Sequence, residues 1–362
     1  MKQGKISKTN VVNFSTYLGM AVFFVIMTIL SNTGVLTRSM TGLLVPICCY
    51  MSMAVSLNLT VGILGELSLG HAGFMSVGAF AGVIASQSLI DVIPSGGLRL
   101  AIAMVVGAIF ATIAGFIVGA PVLRLQGDYL AIVTLAFGEI IKELVTCLIV
   151  GHDENGLHIL FNLTGNKTVE DLGLSSTGIA IIKGAQGITG TPKAATFTVS
   201  ILLVLLTLVI VLNLINSRTG RAVMSIRDNR IAAESVGINI TKYKLMAFAI
   251  SASLAGVAGV LYAHNLSSLA ATPKNFGYNM SIMILVYVVL GGLGNIRGSI
   301  IAAVILTALP ELLRGLNDYR MLIYAIVLIV MMIFNSSPKV LEKRAVLKEK
   351  FRNKKNTAKE AA

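Results

Sequence analysis

Long apolar runs separated by short polar stretches make up most of this sequence. A membrane-spanning helix needs about 20 mostly apolar residues at a rise of roughly 1.5 Å per residue. Two shorter apolar runs, Ser281–Leu293 and Ser299–Leu309, form either two spans or one re-entrant pair, since non-helical backbone at membrane depth must be covered by protein or line a cavity. The runs that suggest full spans are Phe14–Leu30, Leu43–Leu64, Leu67–Leu89, Leu100–Leu123, Tyr129–Val150, Phe197–Ile215, Leu245–His264 and Met321–Phe334.

This pattern predicts an all-α fold, a polytopic helical membrane protein with 8–10 transmembrane helices. Composition supports the prediction, because only 12% of the residues are charged, against roughly 25% in a soluble domain. We expect three regions: a cytoplasmic N-terminal segment over 1–13, a transmembrane domain over 14–335 and a basic cytoplasmic tail over 336–362.

The formal net charge of +13 raises the question of nucleic-acid binding. The basic residues instead cluster before the first apolar run, in the loop 216–244 and in the tail, without interleaved aromatic residues. The positive-inside rule then places both termini in the cytoplasm and makes 151–195 an external loop. The inside charges of the loop 216–244 are Arg218, Arg221, Arg227, Arg230, Lys242 and Lys244.

The sequence contains no pattern typical of a catalytic site. Walker A, HExxH and GxSxG motifs are absent, so we expect no enzyme and no cofactor in this chain. Cys48, Cys49 and Cys147 lie in apolar runs without metal-ligand spacing, which predicts free thiols and no metal site. A transporter of this type that used ATP would need a partner subunit to bind it.

One glycine-rich stretch carries polar residues inside an apolar run. Glu66, Ser68, Gly70, His71 and Gly73 lie in the string ELSLGHAGF. The pattern predicts a broken or kinked helix that exposes backbone polar groups toward a cavity. These five residues are candidates for a translocation pathway, although a single histidine in such a place is more often a hydrogen-bonded buried residue than a ligand.

A second candidate for the pathway is Glu139. It follows Asp128 by eleven residues, roughly 17 Å along a helix, which places it near the middle of the bilayer. An ionisable group at that depth needs a partner, and Lys142 lies three residues further on, with Glu143 on the same face. A structural ion pair and a pathway-lining role are both compatible with this pattern.

The loop 216–244 is too patterned for a simple connector. Asp228 or Asn229 can cap a short helix that runs through Val236, and Gly237 can end it in a left-handed conformation. A compact helix that projects from a membrane domain is suited to a groove on a soluble partner. Topology alone would explain the arginines of this loop but not its capped, alanine-rich helix.

Four segments carry the most specific patterns of this chain: Leu57–Phe80, Leu123–Lys142, Gly220–Gly259 and Val288–Leu313. Among them, the Gly-Asp-Tyr-Leu-Ala and Ala-Ala-Glu-Ser-Val-Gly-Ile strings are the most specific. These segments resemble one known family, the LivM-type permease of bacterial branched-chain amino-acid ABC importers. The resemblance implies a permease domain in the bacterial inner membrane that works with a second homologous permease, two ATP-binding subunits and an extracytoplasmic substrate-binding protein.

The same resemblance implies that 216–244 is the cytoplasmic coupling loop to the ATPase. Translocation of leucine, isoleucine and valine is the implied function. Two alternatives stay open: a urea or short-amide permease of the same family, or an ATP-independent secondary transporter. The residues that match the coupling signature are Arg221, Arg230, Ala232, Ala233, Glu234 and Gly237.

Overall fold

The structure is a computed structural model that describes residues 8–125, 127–154, 156–163, 165–175 and 178–336. The chain divides into two compact units, Met1–Ile305 and Leu306–Ala362. The predictions for residues 1–7 and for the tail beyond residue 336 lie outside the described residues. A helical membrane protein is confirmed, since six of the described helices are long and apolar enough to cross a membrane.

The helices follow the apolar runs closely, and two regions have additional local structure. The second helix continues as a π-helical turn, Leu59–Leu64, before the chain breaks. The segment 216–244 folds into two short helices and the start of a long one. The α-helices are α1 Lys8–Asn32, α2 Arg38–Asn58, α3 His71–Ser88, α4 Gly96–Val122, α5 Asp128–Thr146, α6 Phe197–Asn216, α7 Arg218–Asp228, α8 Arg230–Ser235, α9 Ile240–Ala263, α10 Tyr278–Gly291, α11 Ile296–Leu312 and α12 Arg320–Ser336.

The core of the first unit is formed by α3, α4 and α9, whose backbones approach very closely. A Cβ atom added to Gly78 of α3 would lie 2.3 Å from the Cα atom of Gly256 in α9. A Cβ atom on Gly115 of α4 would lie 2.8 Å from the Cβ atom of Ala252. Small residues therefore allow the close packing that holds helices together in lipid.

The expectation of an all-α chain needs a correction, because the structure also contains a five-stranded sheet in the order β2-β1-β3-β4-β5. All four strand pairs are antiparallel. Helix α5 ends at Thr146 instead of continuing to Val150, because the following residues pair with both β2 and β3. The strands are β1 Leu148–Asp153, β2 Gly156–Phe161, β3 Ile179–Lys183, β4 Ile188–Thr189 and β5 Ser268–Leu269.

The second unit contains α12 and the C-terminal end of α11. A 3₁₀ segment, Leu313–Tyr319, connects the two helices. Helix α12 covers 17 apolar-rich residues and ends at Ser336.

Candidate functional site

The predicted broken helix is present between α2 and α3. The π-helical turn ends at Gly65, which has a φ of +83°, and residues 66–70 are not helical. Neighbouring helices satisfy backbone donors freed by the break. The amide of Leu69 donates to Oγ1 of Thr134 at 3.0 Å, and the amide of Ala72 donates to Oγ of Ser281 at 3.1 Å. Two backbone amides at the break therefore have side-chain partners on neighbouring helices, as non-helical backbone at membrane depth requires.

Two of the predicted pathway glycines bring the break onto α5. A Cβ atom on Gly70 would lie 2.1 Å from the carbonyl oxygen of Thr134, and one on Gly73 would lie 2.9 Å from the Cα atom of Gly138. Any larger side chain would push the two backbones apart. Glycine is required at both positions because the contact is between main chains.

His71 and Ser68 are both buried at the start of α3. Nε2 of His71 lies 2.8 Å from Oγ of Ser56, so this histidine is hydrogen-bonded within the protein. Oγ of Ser68 has no hydrogen-bond partner among the described residues. His71 is thus a buried, hydrogen-bonded residue, and its place in a translocation pathway stays a prediction.

The end of the break next to Gly65 is held by charges from distant elements. Glu66 forms an ion pair with Lys244 of α9, and the two side chains are only 16% and 5% exposed. Nη1 of Arg227 in α7 donates to the carbonyl oxygen of Gly62 at 3.1 Å. A hydrophobic cluster joins the same elements and consists of Leu59, Ile63, Leu64, Val223 and Ala247.

A glycine turn packs against the other side of the π-helical segment. The amide of Gly294, between α10 and α11, donates to Oδ1 of Asn58 at 2.9 Å, and Nδ2 of Asn58 donates to Oγ of Ser299 at 2.9 Å. A Cβ atom on Gly62 would lie 2.2 Å from the amide nitrogen of Gly294. Gly62 thus contacts the turn on one side, while its carbonyl oxygen binds Arg227 on the other.

The short helix α8 forms as the sequence predicts. Asn229, not Asp228, is its N-cap, and Oδ1 of Asn229 accepts a hydrogen bond from the amide of Ala232 at 3.1 Å. Gly237 follows the helix with a φ of +85°. Asp228 instead pairs with Arg227, with 2.8 Å between Nη2 and Oδ1.

The predicted coupling residues divide between a buried and an exposed face of α8. Ala233 is 3% exposed and packs with Ile226 and Ile240, so it fixes α8 to α7 and α9. Ile231, on the side of α8 away from Ala233, is 81% exposed, and Val236, the C-cap residue of the helix, is 75% exposed. Exposed apolar side chains on a compact helix that projects from a membrane domain are suited to a groove on a partner.

The other coupling candidates lie around this face. Ala232 and Glu234 are exposed on α8. Arg221 is exposed on α7, and its Nη1 donates to the carbonyl oxygen of Asn216 at 3.1 Å. Arg230 begins α8 and lines a cavity next to the break.

Glu139 has two partners in the structure. Its Oε2 lies 2.8 Å from Nζ of Lys142, which also lies 2.9 Å from Oε1 of Glu143. The predicted local ion pair is confirmed. Oε1 of Glu139 in addition accepts a hydrogen bond from the amide of Tyr278 at 2.6 Å, at the first residue of α10. A carboxylate there complements the positive end of the helix dipole.

The structure therefore brings the candidates together in two places. Glu66, Ser68, Gly70, His71 and Gly73 lie in the break and the start of α3, and the π-helical turn before the break packs on α7. Glu139 lies next to Gly138, which packs on the break, but its carboxylate turns toward α10. Sequence reasoning missed Lys244, Arg227 and Asn58 as partners. Only the inside-charge pattern had singled out the first two.

A bundle of apolar helices with an internal break and a helical segment packed beside it is typical of membrane transport proteins. The family model "Branched-chain amino acid transport system / permease component" matches residues 39–334. This chain belongs to that family, and it is accordingly a multi-pass membrane protein of a transport system.

The relatives include permeases with assigned names. The high-affinity branched-chain amino acid transport system permease protein LivM of Escherichia coli K12 is 35% identical over 295 residues, 79% of this chain and 66% of that protein. The probable LivM permease of Methanocaldococcus jannaschii is 25% identical, over 69% of this chain and 74% of that protein. The ribose import permease RbsC of Haemophilus influenzae is 31% identical over 31% of this chain and 36% of that protein.

The chain thus spans slightly less than two thirds of the Escherichia coli relative's length. No solved structure matches the chain.

Proposed function

We propose that this chain is the translocating permease subunit of an ATP-driven importer in the bacterial inner membrane. One observation carries the proposal: α8, which exposes Ile231 and is followed by the exposed Val236, packs through Ala233 on α7, and α7 packs on the broken helix. The surface that a soluble ATPase would bind is therefore packed directly on the part of the membrane domain best suited to move. A stand-alone carrier needs no such surface.

The topology supports cytoplasmic placement of this segment. We infer ten crossings, formed by α1–α6 and α9–α12, with α10 a short one of 14 residues, roughly 21 Å long. An even number would put both ends of the membrane domain on the side of the basic segment 216–244, which the positive-inside rule assigns to the cytoplasm. The sheet then lies on the outer face, where it can meet an extracytoplasmic binding protein.

ATP-driven closure of two ATPase subunits would move α8, and the buried contact of Ala233 would carry α7 with it. Arg227 and the cluster around Leu64 would pass this movement to the π-helical segment and the break. The turn at Gly294 would follow, because it is in contact with Gly62. Net uptake requires that the two arrangements of the break differ in their affinity for the ligand.

Leucine, isoleucine and valine are the ligands that the family and the names of the LivM relatives support. They would be delivered by an extracytoplasmic binding protein and would pass between this chain and a second homologous permease without chemical change. ATP would be bound by the partner subunits and not by this chain.

Uptake by the reconstituted complex tests the proposal. Labelled leucine, isoleucine, valine and urea are offered to proteoliposomes containing the permeases and ATPases, with binding protein outside and ATP inside. We expect ATP-dependent uptake of the three amino acids. Uptake of urea alone would favour the short-amide alternative, and uptake indifferent to ATP would favour a secondary transporter.

A substitution on α8 tests the proposed docking of the ATPase in the same assay. Ile231→Asp places a charge in the exposed apolar face and should abolish ATPase binding and uptake. Ser235→Asp adds the same charge to α8 without removing an apolar side chain, and it should retain most of both activities. Equal behaviour of the two variants would contradict docking through the apolar face.

A further inference from the structure

A cavity of about 300 Å³ lies where the end of the break next to Gly65 meets α5, α7, α8 and α9. Its apolar wall is formed by Leu64, Leu67 and Ile226. Its charged wall contains two acidic side chains, Glu66 and Asp128, and three basic ones, Arg227, Arg230 and Lys244. The volume is at the lower end of the range for small-molecule sites.

Three of these five charges are already paired within the protein. Glu66 and Lys244 bind each other, while Arg227 binds Asp228 and the carbonyl oxygen of Gly62. Asp128 and Arg230 have no hydrogen bond or ion pair through their side chains in the described part of the chain. One carboxylate and one guanidinium therefore line the same cavity without being each other's partner.

Local structure fixes the backbone of both residues. Asp128 is the first residue of α5 and follows Gly127, whose φ is +61°. Arg230 is the first residue of α8 and follows the N-cap Asn229. The two charges thus belong to different elements, one of the membrane bundle and one of the segment docked on the break.

We propose that this cavity binds a free α-amino acid with an aliphatic side chain at the cytoplasmic face, an inference that rests on the proposed importer function and orientation. The guanidinium of Arg230 would take the ligand carboxylate, and the carboxylate of Asp128 would take its ammonium group. The apolar wall would receive the aliphatic side chain. Each chemical part of the ligand has a matching group in the cavity.

A ligand held in this way would join α8 to α5. It would favour the one arrangement of the α7–α8 segment in which the two charges face the same cavity, because binding stabilises the state that binds better. Amino acid that accumulates inside would then slow further uptake. Through this site, the imported amino acid would inhibit its own import.

Binding selectivity tests the site without relying on transport. The permease–ATPase complex in lipid nanodiscs, without nucleotide or binding protein, is given labelled leucine. The label is then displaced with leucine, with 4-methylpentanoate, which lacks the ammonium group, or with 3-methylbutylamine, which lacks the carboxylate. We expect leucine to bind about tenfold or more tightly than either analogue, as the loss of a charge-assisted hydrogen bond implies.

Two variants separate the roles of the charges. Asp128→Asn should remove the preference for leucine over 4-methylpentanoate and keep the preference over 3-methylbutylamine. Arg230→Gln should do the reverse. Arg218→Gln, an exposed arginine of α7 that does not line the cavity, should keep both preferences. A merely structural role of either residue would weaken all three compounds equally.

Uptake distinguishes the failure of this inference from the failure of the proposed function. Vesicles preloaded with unlabelled leucine should show slower ATP-driven uptake with the natural chain and unslowed uptake with Asp128→Asn. Active uptake without leucine binding, or binding with selectivity unchanged in both variants, would overturn the inference alone. A complex that transports no amino acid would overturn the proposed function first.

Discussion

Two Glu–Lys ion pairs in the membrane domain differ in the elements that they connect. The pair of Glu66 and Lys244 joins two elements 178 residues apart, and both side chains are largely buried. The pair of Glu139 and Lys142 lies within one helix, and Lys142 has a second acidic partner in Glu143. Within the described residues neither member of the first pair has a second ionic partner, whereas Lys142 keeps Glu143 as a partner while Glu139 also caps α10.

The largest loss of folding stability should follow the removal of the Glu66–Lys244 pair. Glu66→Ala leaves the ammonium group of Lys244 buried without its partner, which costs about 3–5 kcal/mol of folding free energy. Thermal unfolding of the purified permease measures this loss. The double variant Glu66→Ala with Lys244→Met removes both charges and should regain most of the stability. A double variant as unstable as the single one would mean that the pair does not hold the end of the break next to Gly65.

The next effect concerns the glycine that lies between Arg227 and the turn at Gly294. Gly62→Val forces backbone atoms apart and should destabilise the permease by about 1–3 kcal/mol. Gly42→Val in α2 is the matched control, because a Cβ atom there would meet nothing within 4 Å. Unfolding curves that shift equally for both variants would contradict the close contact at the break.

A smaller effect should follow the loss of Glu139. Glu139→Ala removes the acceptor for the amide of Tyr278 but leaves Lys142 paired with Glu143, so we expect a loss of about 1–2 kcal/mol. Glu139→Gln keeps an acceptor oxygen and should be closer to the natural chain. Thermal unfolding again gives the values. A loss as large as that of Glu66→Ala would remove the distinction between the two pairs.

The smallest effect should come from the cap of α8. Asn229→Ala removes one side-chain hydrogen bond and should weaken this helix by about 1 kcal/mol. Hydrogen exchange of the α8 amides should become faster, while exchange in the membrane helices stays unchanged. Asn229→Asp retains the acceptor and should restore slow exchange. No change in the alanine variant would show that tertiary packing alone forms α8.

Local patterns predicted the parts of this molecule that depend on neighbours in the sequence. The cap and stop of α8, the pair of Glu139 with Lys142 and the broken helix could all be inferred from residues within a few positions of each other. The apolar runs predicted the helical membrane domain for the same reason, since a span depends on about 20 consecutive residues.

Long-range partners could not be inferred in this way. Lys244 looked like a topological charge because nothing in the sequence joins it to Glu66. The last strand of the sheet, Ser268–Leu269, was missed because it pairs with residues about 80 positions earlier, and pairing at that distance leaves no periodic signal. The β1–β2 hairpin joins residues close in sequence, but the start of β1 had been assigned to the apolar run Tyr129–Val150. The cap of α10 by Glu139 depends on a contact of the same long range.

The measurement that tests the account most directly is the number of amino-acid molecules imported per ATP hydrolysed by a complex carrying Arg227→Ala. This variant removes the hydrogen bond from α7 to the π-helical segment and leaves the exposed face of α8 unchanged. We expect ATPase binding and hydrolysis to persist while uptake falls about tenfold, since a charged hydrogen bond is worth about 1.5–3 kcal/mol. An unchanged ratio of uptake to hydrolysis would contradict transmission from α7 to the broken helix.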